Sequence, residues 1–300
     1  MSGTIATSTA VDLSRLPPPD VVEALDYETI LADKKARLAA AIPEFDALLE
    51  SDPAIKLLEI CAFDELLLRQ RVNDGARAVL LAYAIGADLD NIAALFGVTR
   101  RTILPADPQT GAAAILEADA DLRRRVLLAP DSYSVAGPAS AYVFHALSAH
   151  GDLRDAAATS PAPGEVVVSL LSRTGDGTAP PAVVEAVAAV LNDDGIRPLT
   201  DAVSVRSAGI VNFAIDARLT LYPGPDAQLI LATANRALAD LLASQKRIGR
   251  DITRSALFAA LHVAGVQKVE LVSPAADVVI GGTDAANAAP IAVTIAGVSE

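Results

Sequence analysis

Between Asp52 and Val98, apolar residues recur at helical spacing over a longer unbroken stretch than anywhere else in the chain. Leu58, Cys61, Leu68, Val72, Val79 and Ala82 lie three or four residues apart, or at sums of those steps, and so share one stripe of a helix. Glu65 interrupts that stripe and Gly75 falls on it. A mid-helix glycine costs roughly 1 kcal/mol against alanine, a cost that close approach of a second backbone would offset. Ser51 or Asp52 is placed to cap the start, and Pro53 takes the first helical position, where its missing N–H costs nothing. Asp64, Arg69, Gln70, Arg71, Asn73, Asp74 and Arg77 form the polar side, and Glu65–Arg69 is a favourably oriented i,i+4 pair. The pattern predicts a stop at Gly86, then a second short helix through Leu89, Ile92, Ala93 and Phe96, closed by Gly97. Leu57, Leu66, Leu67, Leu80 and Leu81 fall off the stripe, so the long helix is apolar on more than one side. Such a helix is either the central helix of a domain core or a member of an intersubunit bundle.

Ahead of it, residues 1 to about 19 are polar or proline-rich, and Pro17-Pro18-Pro19 reads as a stiff extended lead-in. Asp20 is positioned to cap a run through Val21, Val22 and Leu25, a helix is predicted over Glu28–Ala41, and Pro43 opens a linker with room for one helical turn. Residues Arg100–Thr110 read as a loop, and Glu117–Leu128 as a helix carrying Arg123, Arg124 and Arg125. Beside Asp119 and Asp121, that triple arginine is either a salt-bridged surface or a contact patch.

From Gly137-Pro138 onward the period alternates between helix and strand. Helices are predicted from Pro138 to Leu147, Pro181–Leu191, Ala227–Leu242 and Arg254–Val263. Strands are predicted over Leu153–Thr159, Glu165–Leu171, Val203–Val205, Val211–Leu221, Val266–Val272 and Ile291–Ile295. Phe144-His-Ala-Leu147 and Phe258-Ala-Ala-Leu261 are each followed by a glycine, a strand and a Ser-Pro pair, which suggests a repeated helix–strand unit. With no regular β-α-β alternation, mainly antiparallel sheets are expected. The class is therefore α+β: a helical region over residues 1–130, then small α+β domains over residues 131–207 and 208–300.

Composition narrows the chemistry. Apolar residues make up 52% of the chain and aromatics only 4%, so the cores are built of Ala, Val, Leu and Ile. A net charge of −13 argues against a nucleic-acid surface, which needs a basic stripe to displace counterions. The one cysteine, Cys61, excludes an internal disulfide and reads as a helix-borne core thiol. No signal peptide or membrane-spanning run is seen, so folding in a cytoplasm without membrane insertion is expected. His145 and His150 would lie about 140° apart on a helix, and neither has a ligand neighbour at metal spacing. Asp88 with Asp90, and Asp119 with Asp121, resemble D-x-D metal pairs without a third ligand; the first pair is expected at a helix start and the second beside arginines. Gly175-Asp-Gly-Thr178 lacks a phosphate-cradle pattern and reads as a hairpin-like connection, and no G-x-S-x-G elbow frames a serine. No cofactor and no metal is expected, and no enzyme activity.

Several stretches carry a resemblance: ESDPAIKLLE, ELLLRQRVNDGARAVLLAYAIGADLD and LFGVTR, then EADADLRRRV, SVAGPASAYVFHALSA, DDGIRPLTDAVSV, LYPGPDAQ and RIGRDITRSALFAALHVAGVQKVEL. In this order, over essentially the whole chain, they resemble the baseplate J-like family of contractile-tailed phages. The resemblance implies a structural subunit of a baseplate wedge, resident in a phage tail or tail-like particle. It also implies partners: a second copy of the chain and a second wedge protein in a helical bundle, a sheath-initiating baseplate protein, and neighbouring wedges. Residues expected to serve such contacts are Leu58, Cys61, Leu68, Arg69, Arg71, Val72, Gly75, Val79 and Arg123 to Arg125. The rival classes are an adaptor or assembly chaperone that leaves the finished particle, and a small-molecule enzyme.

Overall fold

A computed structural model describes residues 13, 16, 17, 19, 21–44, 52–134, 137–224 and 226–299. Most of the proline-rich lead-in, the proposed cap Asp20, most of the linker after Pro43, and Ser51 lie outside the described residues. The chain divides into two compact units, Ala10–Arg100 with Ala118–Arg124, and Arg101–Glu117 with Arg125–Glu300.

The first unit is helical. Helix α1 (Tyr27–Ala41) is capped by Asp26, whose carboxylate accepts from the Thr29 N–H at 2.8 Å and the Thr29 hydroxyl at 2.6 Å. Helix α2 (Pro53–Ala78) is capped by Asp52, which accepts from the Ala54 N–H at 2.7 Å, with Pro53 in the first turn. The expected run to Gly86 is corrected: α2 ends at Ala78, and residues 79–84 form tight turns. Apolar periodicity continues through this segment, but tertiary donors terminate the helix. Arg123 donates to the carbonyls of Leu81 and Ala84, both at 2.6 Å, replacing the intrahelical amides those oxygens would need. Gly86, at φ +53°, opens helix α3 (Gly86–Leu95) rather than closing α2.

In the second unit, strands β1 (Thr102–Leu104) and β2 (Ile115–Leu116) form a short hairpin where a loop was expected. Their two or three residues are too few to show a period, and Pro105 and Pro108 fall in the connection between them. Helix α4 spans Asp119–Ser132, with its first turns belonging to the first unit. Then come α5 (Ala139–Ala149), β3 (Leu153–Thr159), β4 (Glu165–Ser172), α6 (Pro181–Leu191) and β5 (Ala202–Ser207). Last are β6 (Gly209–Leu221), α7 (Ala227–Gln245), α8 (Arg254–Leu261), β7 (Val266–Ser273) and β8 (Asp284–Val298).

The fold is α+β, but its two three-stranded sheets are mixed rather than mainly antiparallel. In the order β3-β4-β5, β3 pairs antiparallel and β5 parallel with the central strand; in β7-β6-β8, β7 pairs antiparallel and β8 parallel. Helix α6 supplies the crossover that a parallel β4–β5 pair requires. Strand β8 begins seven residues before the predicted strand because Asp284-Ala-Ala-Asn-Ala-Ala-Pro290 lacks β-branched residues and contains a proline. Yet those residues pair with β6 from Gly209 onward.

The helix–strand similarity has a geometric counterpart. Both α5 and α8 lead through a glycine into an edge strand antiparallel to the sheet centre. The chain order differs, because β4 follows its edge strand whereas β6 precedes α7, α8 and β7. One core joins Tyr142, Ala146 and Leu147 of α5 to Val168 and Leu170 of β4 and to Val183, Val187 and Leu191 of α6. The other joins Ile215, Ala217, Leu219 and Leu221 of β6 to Ile230, Ala234 and Leu238 of α7 and to Leu257 and Leu261 of α8. Arg154 and Asp155 of β3 tie the first three-stranded sheet to the end of α7 and the segment after it. Arg154 donates to the carbonyls of Lys246 (2.9 Å) and Ala243 at the α7 C-terminus, and Asp155, 3% exposed, accepts from the Ile248 N–H at 3.0 Å.

Candidate interaction surface

Helix α2 buries one side within its own unit. Ile55, Ala62 and Asn73 are buried, and Ala62 packs with Ile30 and Leu31 of α1, flanked by Tyr27, Leu58 and Leu66. Asn73 was expected on the solvated side; it is 3% exposed. Its amide NH2 donates to the Glu23 carbonyl at 2.9 Å, and its oxygen accepts from the Glu23 N–H at 3.1 Å, so one side chain satisfies both polar groups of that residue. Glu65, the break in the predicted stripe, accepts from Lys34 of α1 at 2.6 Å and pairs with Arg69 at 2.7 Å. Hydrogen bonds from Lys34 and then Arg69 hold its carboxyl below the usual range. Arg69 also reaches Glu23 at 3.0 Å.

The remaining apolar residues of α2 face away. At 100° per residue, Leu57, Ile60, Leu67, Leu68 and Val72 fall within an arc of roughly 140°, centred about 170° from the Ile55–Ala62–Leu66–Asn73 face. Each of these five is more than half exposed, as is Phe63. Cys61 is exposed too, which corrects the expectation of a core thiol: it lies beyond the edge of the α1 contact. Of the expected contact residues on α2, Leu68, Val72, Gly75 and the C-cap Val79 are exposed, as are Arg69 and Arg71, while Leu58 is half-buried against α1. Beyond its chain neighbours and the backbone of its own helix, no described atom lies within 4 Å of where a Cβ on Gly75 would stand. Ile60, inside this arc, and Phe63, just outside it, escaped the sequence reading because both fall off the stripe.

Of the triple arginine, Arg125 is buried and the other two are partly exposed. Arg123 holds the turn after α2. Arg125, 4% exposed, forms a forked pair with the equally buried Glu117, its Nε and Nη2 donating at 2.8 and 2.6 Å. Arg124 is half-buried. Arg125 is thus salt-bridged but buried rather than on a surface, while Arg123 and Arg124 stay partly exposed.

No group of three His, Cys, Asp or Glu side chains among the described residues is arranged to hold a metal ion. Asp90 and Asp119 both bind Arg100 at 2.7 Å, and Asp119 also accepts from the Gly86 N–H at 3.2 Å. Burial raises the Asp119 pKa, but the hydrogen bonds from Arg100 and Gly86 outweigh it and leave the carboxyl below its ordinary range. Asp88 lies in the first turn of α3 and forms no cap. His150 accepts from the Asp152 N–H through Nδ1, His145 stacks edge-on against Phe144, and burial lowers the His145 pKa. Among the described residues, no helix is long and apolar enough to cross a membrane.

Helix α2 thus presents two opposed apolar sides, one packed on α1 and the other open. Comparison with known proteins shows the family. Three domain families match in chain order: Baseplate J-like N-terminal domain over residues 50–107, Baseplate J-like central domain over 134–207, and Baseplate J-like protein C-terminal domain over 213–293. Baseplate protein J of Escherichia phage P2 is 48% identical over 284 residues, covering 92% of this chain and 94% of that protein. The chain belongs to the baseplate J-like family. It is a structural protein of a phage tail baseplate or tail-like particle, not an enzyme. Among solved structures, a chain of the anti-feeding prophage baseplate aligns over 57% of this chain and 42% of its own length, at 15% identity and a TM-score of 0.41.

Proposed function

We propose that this baseplate J-like protein is a wedge subunit whose α2 joins a second copy of the chain and a different wedge protein in a helical bundle. The α+β domains then engage the sheath-initiating protein and neighbouring wedges. The observation that carries this reading is the open face of α2, where Leu57, Ile60, Leu67, Leu68 and Val72 stay more than half exposed. Each fully buried aliphatic side chain contributes about 1.5–3 kcal/mol, so covering five of them supplies a large part of a stable association. Gly75, unhindered in the isolated chain, lets a partner backbone come close.

Val72→Asp tests this. The site is exposed in the free chain, so the variant folds normally, but a bundle seam would have to bury an unpaired carboxylate. Co-expressed with the other wedge proteins and sized by light scattering, the variant is expected to remain unassembled. Normal wedges from Val72→Asp would overturn the assignment.

A further inference from the structure

We infer that two copies of this chain pair α2 against α2 in antiparallel register, with Asp64 of each copy bonded to Arg71 of the other. The inference rests on the proposed bundle and specifies how the two copies meet within it.

The charges on the open face of α2, rather than its leucines, select the occupant. Asp64 and Arg71 are both exposed, and both lie within about 30° of the centre of that face. No other charged residue falls inside its arc. Elsewhere on α2, Lys56 pairs with Glu59 at 2.9 Å, Arg69 pairs with Glu65 at 2.7 Å, and Asp74 accepts from Gln70 at 2.7 Å. Among the described residues, neither Asp64 nor Arg71 has a side-chain hydrogen bond or an ion pair. Seven residues set them about 10 Å apart along the axis, too far to bond each other within one helix. Arg77 is also without a side-chain bond among the described residues, but it sits roughly 40° from the centre of the α1-facing side, away from the open arc.

A second copy answers both charges at once. A second α2 placed antiparallel, with a two-fold axis between Leu67 and Leu68, sets Asp64 opposite Arg71 of the other copy on both sides of the axis. Leu67 and Leu68 then meet their own counterparts at the axis. The same register sets Ile60 against Gly75 and Leu57 against Ala78, large against small. At Gly75, apart from its chain neighbours and its own helix backbone, no described atom occupies the space that Ile60 would enter. A parallel pair in register would instead set Asp64 on Asp64 and Arg71 on Arg71, which like-charge repulsion opposes. Staggering a parallel pair by seven residues satisfies one charge pair and leaves the other open. Each copy carries a net charge of −13 and repels another at a distance, but this arc is neutral, so it is where two copies can approach. The contact uses one patch on both copies and therefore closes at two.

The test uses chains co-expressed with the other wedge proteins and has two arms. In the first, Asp64→Arg and Arg71→Asp are each expected to lower wedge yield about tenfold or more, because each sets like charges together on both sides of the axis. The double swap Asp64→Arg with Arg71→Asp is expected to restore the parent yield. Both sites are exposed in the free chain, so the variants fold. Single variants that assemble normally, or a double swap no better than the singles, overturn the register. In the second arm, Leu68→Cys in a Cys61→Ser background is expected to give a disulfide-linked dimer of the chain when assembled wedges are oxidised. Ile60→Cys in the same background is expected to give none, since antiparallel pairing holds its two copies about 22 Å apart along the axis. A dimer from Ile60→Cys, or none from Leu68→Cys in assembled wedges, overturns the antiparallel pair. Neither result touches the bundle reading, which fails instead if Val72→Asp still makes wedges.

Discussion

Arg125 and Glu117 form a two-pronged ion pair, with both side chains 5% exposed. Glu117 also accepts from the Arg101 N–H at 3.1 Å, so one carboxylate fastens both the start of β1 and the body of α4. Removing it leaves a guanidinium buried without its counter-charge. Glu117→Ala should therefore cost about 3–5 kcal/mol, while Glu117→Leu with Arg125→Met should recover most of that loss. Urea midpoints of the three proteins decide this; a single variant within about 1 kcal/mol of the parent is incompatible with the pair's role.

Asn73 yields a second expectation. Replacing it by alanine orphans the N–H and carbonyl of Glu23, at a cost of roughly 1–3 kcal/mol. Hydrogen exchange at the Glu23 amide should quicken in Asn73→Ala, and unchanged protection there would mean the contact is not maintained in solution.

Exposure of Cys61 gives a direct footprint of the bundle. A maleimide should label this thiol fully in the folded, isolated protein and poorly once wedges have formed. Equal labelling before and after assembly counts against α2 as the seam.

Acid should loosen the first unit through Asp119. Its folded pKa is depressed, so its contribution is fully present above its unfolded value near 4 and is lost as pH falls through the folded value. Asp119→Asn should lower stability at neutral pH and flatten the loss below pH ~4. A variant that tracks the parent across this range would assign the acid sensitivity elsewhere.

Much of this was readable from the amino acids. Helices α1 and α6 and strands β3 and β4 come within a residue of their predicted limits, because caps, prolines and alternation mark them locally. What escaped depends on distant partners. Arg123 ends α2 from more than forty residues away, and Asn73 is drawn inside by a backbone fifty residues earlier. Strand β8 is written in alanines and becomes a strand because β6 offers it a ladder. The open face of α2 was visible as surplus leucine, but which apolar side the chain would cover itself was decided by α1.

The parallel pairing of β6 with β8 has a consequence for synthesis. Strand β6 is complete at Leu221, yet its partner along one edge does not begin until Asp284. During translation the central strand must wait with that edge open, a state prone to wrong pairing. Closure comes only once β8 has been made, and Ala286, which packs into the core on β6, arrives in the same strand. A chain cut short before β8 thus leaves one edge of β6 unpaired and its sheet unfinished.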